Sequence, residues 1–428
     1  MQTESKNIVI CCDGTGNQFG DSNSNVVKLH TILCINRDQV AYYHPGLGTM
    51  GAPNRTSWFG KKISQLAGLA FGAGFRSNMG DAYQYLMEQY RDGDKVFLFG
   101  FSRGAYTVRA LAGALHVYGL LRPGNEGHLP YLLRLYAEAS RKAYGRSQRQ
   151  VPTDNVAEAF KETFSRTITI HFIGLWDTVS SIGWIYDPVK LLFDGQNPIV
   201  RKGRHAVSID EHRCFFQDYL VGASLPPSQT PTLEGQQQDI LQVWFAGVHS
   251  DVGGSYHQLE CAPAEDALRW MIDEAEEDGL LINHAKRQAV FGEDPAGLTP
   301  LNKIYPRPLT PLNRIHESLT WKWWPLEIFP HKYFDETGIK RWQLLPWTHR
   351  REIPDGSVLH PSVERRLKGD PKYQPKNLDR DRITPLRNSP IQLPTPKVEA
   401  QLASRGFSVY RPLAAMRHPA HRGVHVAE

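Results

Sequence analysis

A serine, an aspartate and a histidine can together attack an acyl carbonyl when each follows a strand and all three reach one edge of a sheet. Ser102 lies in Gly100-Phe101-Ser102-Arg103-Gly104, a G-x-S-x-G turn. The apolar run 96–99 precedes it, and Val108, Leu111, Ala112 and Leu115 recur at helical spacing after it. The stretch therefore reads as a nucleophile elbow between a buried parallel strand and a helix. Glycines two before and two after the serine leave room for strand and helix to approach. The positive end of the helix favours the anion formed when the hydroxyl attacks a carbonyl. Asp177 follows the strand-like residues 167–175 (TITIHFIGL), and His249 follows the strand-like residues 239–246 (DILQVWFA), read as the last core strand. An acid just past a strand end lies where α/β sheets hold ligands. The plainer alternatives are a helix-capping serine at Ser102 and, for Asp177 taken alone, a cap or turn residue.

Such residues need a sheet behind them. Residues 7–12 (NIVICC) form an apolar strand ending in Asp13-Gly14-Thr15-Gly16-Asn17. This Gly-rich loop lets backbone N–H groups approach an anion. It lacks both the Lys-Ser/Thr of a phosphate loop and the G-x-G-x-x-G of a dinucleotide fold, so no nucleotide is expected. Instead Gly14 or Thr15 offers a second oxyanion donor beside the Arg103 N–H. Asp13 reads either as a side chain tying down this turn or as a site residue. Residues 25–35, 79–90 and 263–279 are helical in pattern, 39–43 strand-like, 44–49 a tight turn, and 131–166 two amphipathic helices. Strand and helix in alternation predict an α/β fold, a mostly parallel sheet flanked by helices. One domain is expected over 1–380, with a cap-like helical insertion at about 122–166 and an irregular C-terminal extension. Residues 381–428 read as a basic, Pro-rich, loosely ordered tail.

Other candidates for chemistry have plainer readings. His171 falls within a strand and reads as packed core. Asp210, Glu211, His212 and Arg213 read as a structural ion-pair cluster. Asp251 and His257, close to His249, raise a metal-assisted alternative built on Asp13, His249 and Asp251. That set falls short of a zinc pattern, so Asp251 is read as support for the His249 loop, and neither metal nor organic cofactor is expected.

Five cysteines, odd in number and without C-x-x-C spacing, read as reduced thiols. No 18-residue apolar run predicts a membrane span. No signal-peptide pattern precedes the first strand, so synthesis for the cytoplasm is expected, with signal-less export open. The net charge of +5 is uneven: residues 371–428 hold ten Lys/Arg against four Asp/Glu, leaving −1 for the rest. The body is nearly neutral and no nucleic-acid partner is expected; the tail reads as a solvated segment, with settling on anionic lipid or nucleic acid as the alternative. Residues 320–334 (TWKWWPLEIFPHKYF) read as an aromatic lid or flap, with peripheral membrane contact as the alternative. Nothing in the sequence indicates an oligomeric state.

In order along the chain, Cys12-Asp13-Gly14-Thr15-Gly16-Asn17, Gly46-Leu47-Gly48-Thr49, Gly100-Phe101-Ser102-Arg103-Gly104-Ala105, Trp176-Asp177-Thr178-Val179 and His249-Ser250-Asp251-Val252-Gly253-Gly254 form one set. The set, with its chain order Ser, Asp, His, resembles the α/β-hydrolase family that includes the catalytic domain of type VI secretion phospholipase effectors. The resemblance runs over about 7–256, and weaker matches such as 353–365 extend it to about 380. It implies a triad of Ser102, Asp177 and His249 and hydrolysis of carboxylic esters, with phospholipid as the substrate class. A soluble carboxylesterase and a non-catalytic binding module that keeps the fold are the alternatives.

Overall fold

Strand β1 (Asn7–Cys12) sends Ile8, Ile10 and Cys12 into one core and Val9 and Cys11 into another. An apolar run with no polar positions becomes a strand buried on both faces, as a parallel sheet between two helical layers requires. The computed structural model describes residues 5–17, 19–46, 69–145, 155–179, 182–184, 187–189, 191–193, 197–216, 232–233, 236–293, 300–306, 314–321, 323–324, 327, 331–334, 340–343, 351–354, 357–378 and 408–409. The turn expected beyond Gly46, several positions of the 320–334 stretch and the tail other than Ser408–Val409 lie outside them.

Strands β2 (Gln39–His44), β3 (Lys95–Phe101), β4 (Ile170–Trp176), β5 (Val200–Ser208), β6 (Asp239–Phe245), β7 (Val358–Leu359) and β8 (Ser408–Val409) join β1 in one eight-stranded sheet. The order is β8-β7-β6-β5-β4-β3-β1-β2, and every pairing is parallel. This is the α/β-hydrolase-like arrangement expected. Strand order reverses between β1 and β3, which opens a crevice outside the carboxyl ends of those two strands. Register aligns the ends that matter: Cys12 pairs with Gly100, Phe101 with Trp176, Trp176 with Ala206, and Ser208 with Phe245. The residues that follow these strands therefore emerge side by side.

Helices α2 (Leu69–Gln89), α3 (Arg103–Tyr118), α4 (Leu129–Gly145) and α5 (Asn155–Phe164) pack on the first core. Within the 122–166 region α4 lies against α2 and α3, and the Tyr136 hydroxyl donates to the Leu192 carbonyl at 2.6 Å. Helix α1 (Asn25–Ile32), capped by Ser24, and α7 (Ala262–Glu277) cover the second core.

One strand escapes the sequence reading, and one expectation is corrected. Strand β5 (VRKGRHAVS) has no apolar run, because its charges are neutralised in place: Arg204 bonds Asp239 at 2.6 Å and Glu274 at 2.5 Å. Strand β6 is not the last. Strands β7 and β8 extend the sheet, and helix α8 (Pro361–Gly369) closes a third apolar cluster with Val207, Trp244, Leu359 and Val363. The C-terminal region is thus partly built into the sheet. No helix among the described residues is long and apolar enough to cross a membrane.

Candidate active site

Strand β3 ends at Phe101 and α3 begins at Arg103, so Ser102 alone makes the turn. Its backbone, at φ 57° and ψ −121°, is strained for a non-glycine residue by an amount on the order of 1–3 kcal/mol. The Ser102 N–H donates to the Trp176 carbonyl at 3.0 Å, which ties the turn to the end of β4. The flanking glycines serve space rather than φ. A Cβ on Gly100 would stand 2.6 Å from the Ala105 backbone, and one on Gly104 would stand 2.1 Å from the Cys12 carbonyl oxygen. Arg103 then opens α3 at the positive end of the helix.

The loop after β1 meets this turn. A Cβ on Gly14 would lie 3.1 Å from the Ser102 Cβ. Asp13 holds the loop: Oδ1 accepts from the Gly14 N–H (2.6 Å) and Asn17 Nδ2 (2.9 Å), and Oδ2 from Ser24 Oγ (2.6 Å) and the Tyr43 hydroxyl (2.9 Å). Those four bonds are the turn-tying alternative read from the sequence. Thr15 carries a buried hydroxyl oxygen with no hydrogen-bond partner among the described residues.

Asp177 follows β4 with φ 38° and is 1% exposed. Its carboxylate takes four bonds: Oδ1 from the Ser208 N–H (2.8 Å) and Arg351 Nη1 (2.5 Å), and Oδ2 from Arg351 Nη2 (3.0 Å) and His249 Nδ1 (2.5 Å). Burial pushes this carboxyl up, but Arg351 and His249 outweigh burial and hold it well below the usual carboxylate range. Because the carboxylate accepts, the proton sits on Nδ1 and Nε2 carries the lone pair. Burial lowers the His249 pKa against the pull of Asp177, so the imidazole is neutral at pH 7. The ring lies between Phe101, at 4.6 Å between centroids, and the edge of Phe216, at 4.8 Å.

His249 opens the short helix α6 (His249–Gly253), and its N–H donates to Glu211 Oε2 at 3.1 Å. Glu211 also pairs with Arg213 (2.9 Å) and accepts from Ser318 Oγ (2.8 Å), while the Arg213 guanidinium lies 3.5 Å from the Phe216 ring centroid. Of the 210–213 cluster, Glu211 and Arg213 form the ion pair read from the sequence and hold the His249 backbone, whereas Asp210 accepts from the Gly247 N–H (2.7 Å) and the Tyr373 hydroxyl (2.9 Å). Asp251 accepts from the Val248 N–H (3.1 Å) and from His316 Nδ1 (2.6 Å). His257 turns its Nδ1 to the Leu259 N–H, and His171 is half-buried rather than core, with Nε2 3.0 Å from the Asp278 carbonyl. Among the described residues no three His, Cys, Asp or Glu side chains converge as a metal site.

Ser102, Asp177 and His249 therefore stand on one sheet edge, with Asp177 bonded to His249. Sequence reasoning missed Arg351 and His316, and it read Glu211 as an ion-pair partner without its bond to the His249 N–H. No motif surrounds Arg351, and its one signal was a basic doublet beside the apolar Ile353, which names no partner.

An uncharacterized protein of Saccharomyces cerevisiae is 35% identical over 222 residues, covering 50% of this chain and 32% of that protein. The chain thus spans about a third of the length of that curated relative. A crystal structure of an uncharacterized protein from Pseudomonas aeruginosa aligns at TM-score 0.37 and 17% identity, over 70% of this chain and 52% of that one. The structure of the Tle1 effector bound to the VgrG spike from the type 6 secretion system aligns at TM-score 0.38 and 14% identity, over 81% and 93%. The family model described as T6SS, phospholipase effector Tle1-like, catalytic domain matches residues 6–274, and the chain belongs to that family.

Proposed function

We propose that this chain hydrolyses carboxylic esters of phospholipids through Ser102. The contact between His249 Nδ1 and Asp177 Oδ2 at 2.5 Å, on the edge where the strained Ser102 turn emerges, carries the reading. His249 Nε2 takes the Ser102 proton as Oγ attacks the carbonyl carbon, and Asp177 stabilises the imidazolium. The N–H groups of Arg103 and of Gly14 or Thr15 receive the oxyanion. His249 then returns the proton to the departing lysophospholipid hydroxyl. Water, deprotonated by the same nitrogen, frees the fatty acid from acyl-Ser102. The family supports a phospholipid substrate. So do Trp321 and Trp324, 72% and 48% exposed, on the segment whose Trp323 lies edge-on to Phe216 at 5.5 Å. Exposed aromatics beside a site suit peripheral contact with a lipid–water interface.

The test is phospholipid vesicles incubated with wild type and with Ser102→Ala, products being identified by mass spectrometry. Fatty acid and lysophospholipid are expected from wild type alone, with an unchanged thermal midpoint in the variant. Turnover retained by Ser102→Ala would sink the serine mechanism. Equal rates on monomeric and aggregated esters would indicate a soluble carboxylesterase. A folded wild type that a fluorophosphonate fails to label would indicate a binding module.

A further inference from the structure

We infer that Arg351, delivered by the C-terminal region, is a positioning residue that sets the orientation of Asp177 and the acid limit of His249 as a base. The inference rests on the serine-hydrolase reading above. Arg351 and Asp177 are each 1% exposed. The guanidinium meets the carboxylate two-pronged, Nη1 to Oδ1 at 2.5 Å and Nη2 to Oδ2 at 3.0 Å. It is itself fixed by the Ser208 carbonyl (3.0 Å), Ser208 Oγ (2.6 Å) and the Phe216 carbonyl (2.7 Å). A planar fork bonded to both oxygens stops the carboxylate from rotating, which a lysine ammonium cannot do. Oδ2 is thereby held toward His249 Nδ1 in one orientation.

The same contact moves charge. A carboxylate that shares its negative charge with a guanidinium attracts a proton on the neighbouring imidazole less than a lone carboxylate does. His249 then stays neutral, and able to accept the Ser102 proton, further into acid. Among the described residues, these charged and titratable groups face the pair. His249 meets Asp177, Glu211 and Arg213, and Asp251 on its own helix is engaged by His316. Asp177 meets Arg351 and lies near His205, whose Nε2 accepts from the Thr178 N–H at 3.2 Å. Burial, with Arg109 adding to it, lowers His205 to about 3, so that ring is neutral. Arg351 is thus the cation bonded to the acid itself, and it lies outside the family-matched residues 6–274.

The experiment separates this inference from the reading beneath it. In Ser102→Ala protein, an NMR titration of the His249 ring reads its pKa without turnover. Adding Arg351→Gln is expected to raise that pKa. With Ser102 intact, Arg351→Gln is expected to move the acid limb of kcat/KM to higher pH and to lower kcat on the order of 10²-fold. Arg351→Lys, which keeps the charge and loses the fork, is expected to leave the limb in place and still lower kcat. A folded Arg351→Gln protein with an unmoved limb and an unmoved His249 titration overturns the inference. If Arg351→Gln does not fold, Arg351→Lys decides: wild-type kcat in that variant overturns the positioning role. Turnover in Ser102→Ala would instead overturn the serine reading, and the NMR titration would still judge Arg351.

Discussion

The two sides of the site are held by different physics. On the Ser102 side, the loop after β1 and the turn after β3 are shaped by backbone and by missing side chains: Gly14 lies against Ser102, and Gly104 lies against the Cys12 carbonyl. On the His249 side, buried charge pairs do the holding: Asp177 with Arg351, Glu211 with Arg213, and Asp251 with His316. The first side is intolerant of volume, and its one buried carboxylate named above, Asp13, meets neutral donors rather than a counter-charge. The second is sensitive to protonation and to the loss of either partner of a pair, because a charge left alone in the interior is costly.

The comparison breaks most visibly at Asp177. Asp177→Asn is expected to cut turnover roughly 10⁴-fold through the wrong histidine tautomer. It also leaves the Arg351 charge buried without its partner, a loss of about 3–5 kcal/mol. A kcat measurement paired with denaturant unfolding checks both, and an unchanged unfolding midpoint would show that Arg351 does not depend on this carboxylate. Gly104→Ala tests the other side. Its new Cβ meets backbone that cannot swing away, so a loss of about 1–3 kcal/mol is expected, equal at pH 5.5 and pH 8. A loss that grew toward either pH would place charge where the geometry shows only volume. The smallest effect is expected at His316. Its bond to Asp251 raises its pKa, so the pair contributes stability in full below the unfolded value of about 6.5, and that contribution disappears as pH rises through the raised folded value. His316→Asn should therefore cost more stability at pH 5.5 than at pH 8.5, and equal costs would refute the charged pair.

The same contrast explains what was legible in the sequence. Gly100, Ser102 and Gly104 announce themselves because the strand-turn-helix constraint acts within five residues. Asp177 and His249 could be placed because each follows an apolar run that reads as a strand. Strand β5 could not, since Arg204 looks unlike a sheet residue until Asp239 and Glu274, 35 and 70 residues away, are beside it. Strand β7 holds two residues, too few for any periodicity. Glu211 reads as one half of an ion pair, but nothing local shows that the oxygen paired with Arg213 Nη2 also receives the His249 N–H. Partnerships made by folding leave their trace at both ends of a long interval, and neither end alone names the other.

Arg351 lies 174 residues beyond Asp177. During synthesis, Ser102, Asp177 and His249 all leave the ribosome before that guanidinium has been made. At translation rates of about 5–20 residues per second, the interval between His249 and Arg351 lasts roughly 5–20 s. Through it the carboxylate lacks the guanidinium that meets it in the finished fold, and closing it into a dry sheet edge is opposed by the cost of desolvating a charge without that partner. The timing of translation and the burial of one ion pair are in this way coupled, and this edge of the sheet is expected to close only once Arg351 has been made.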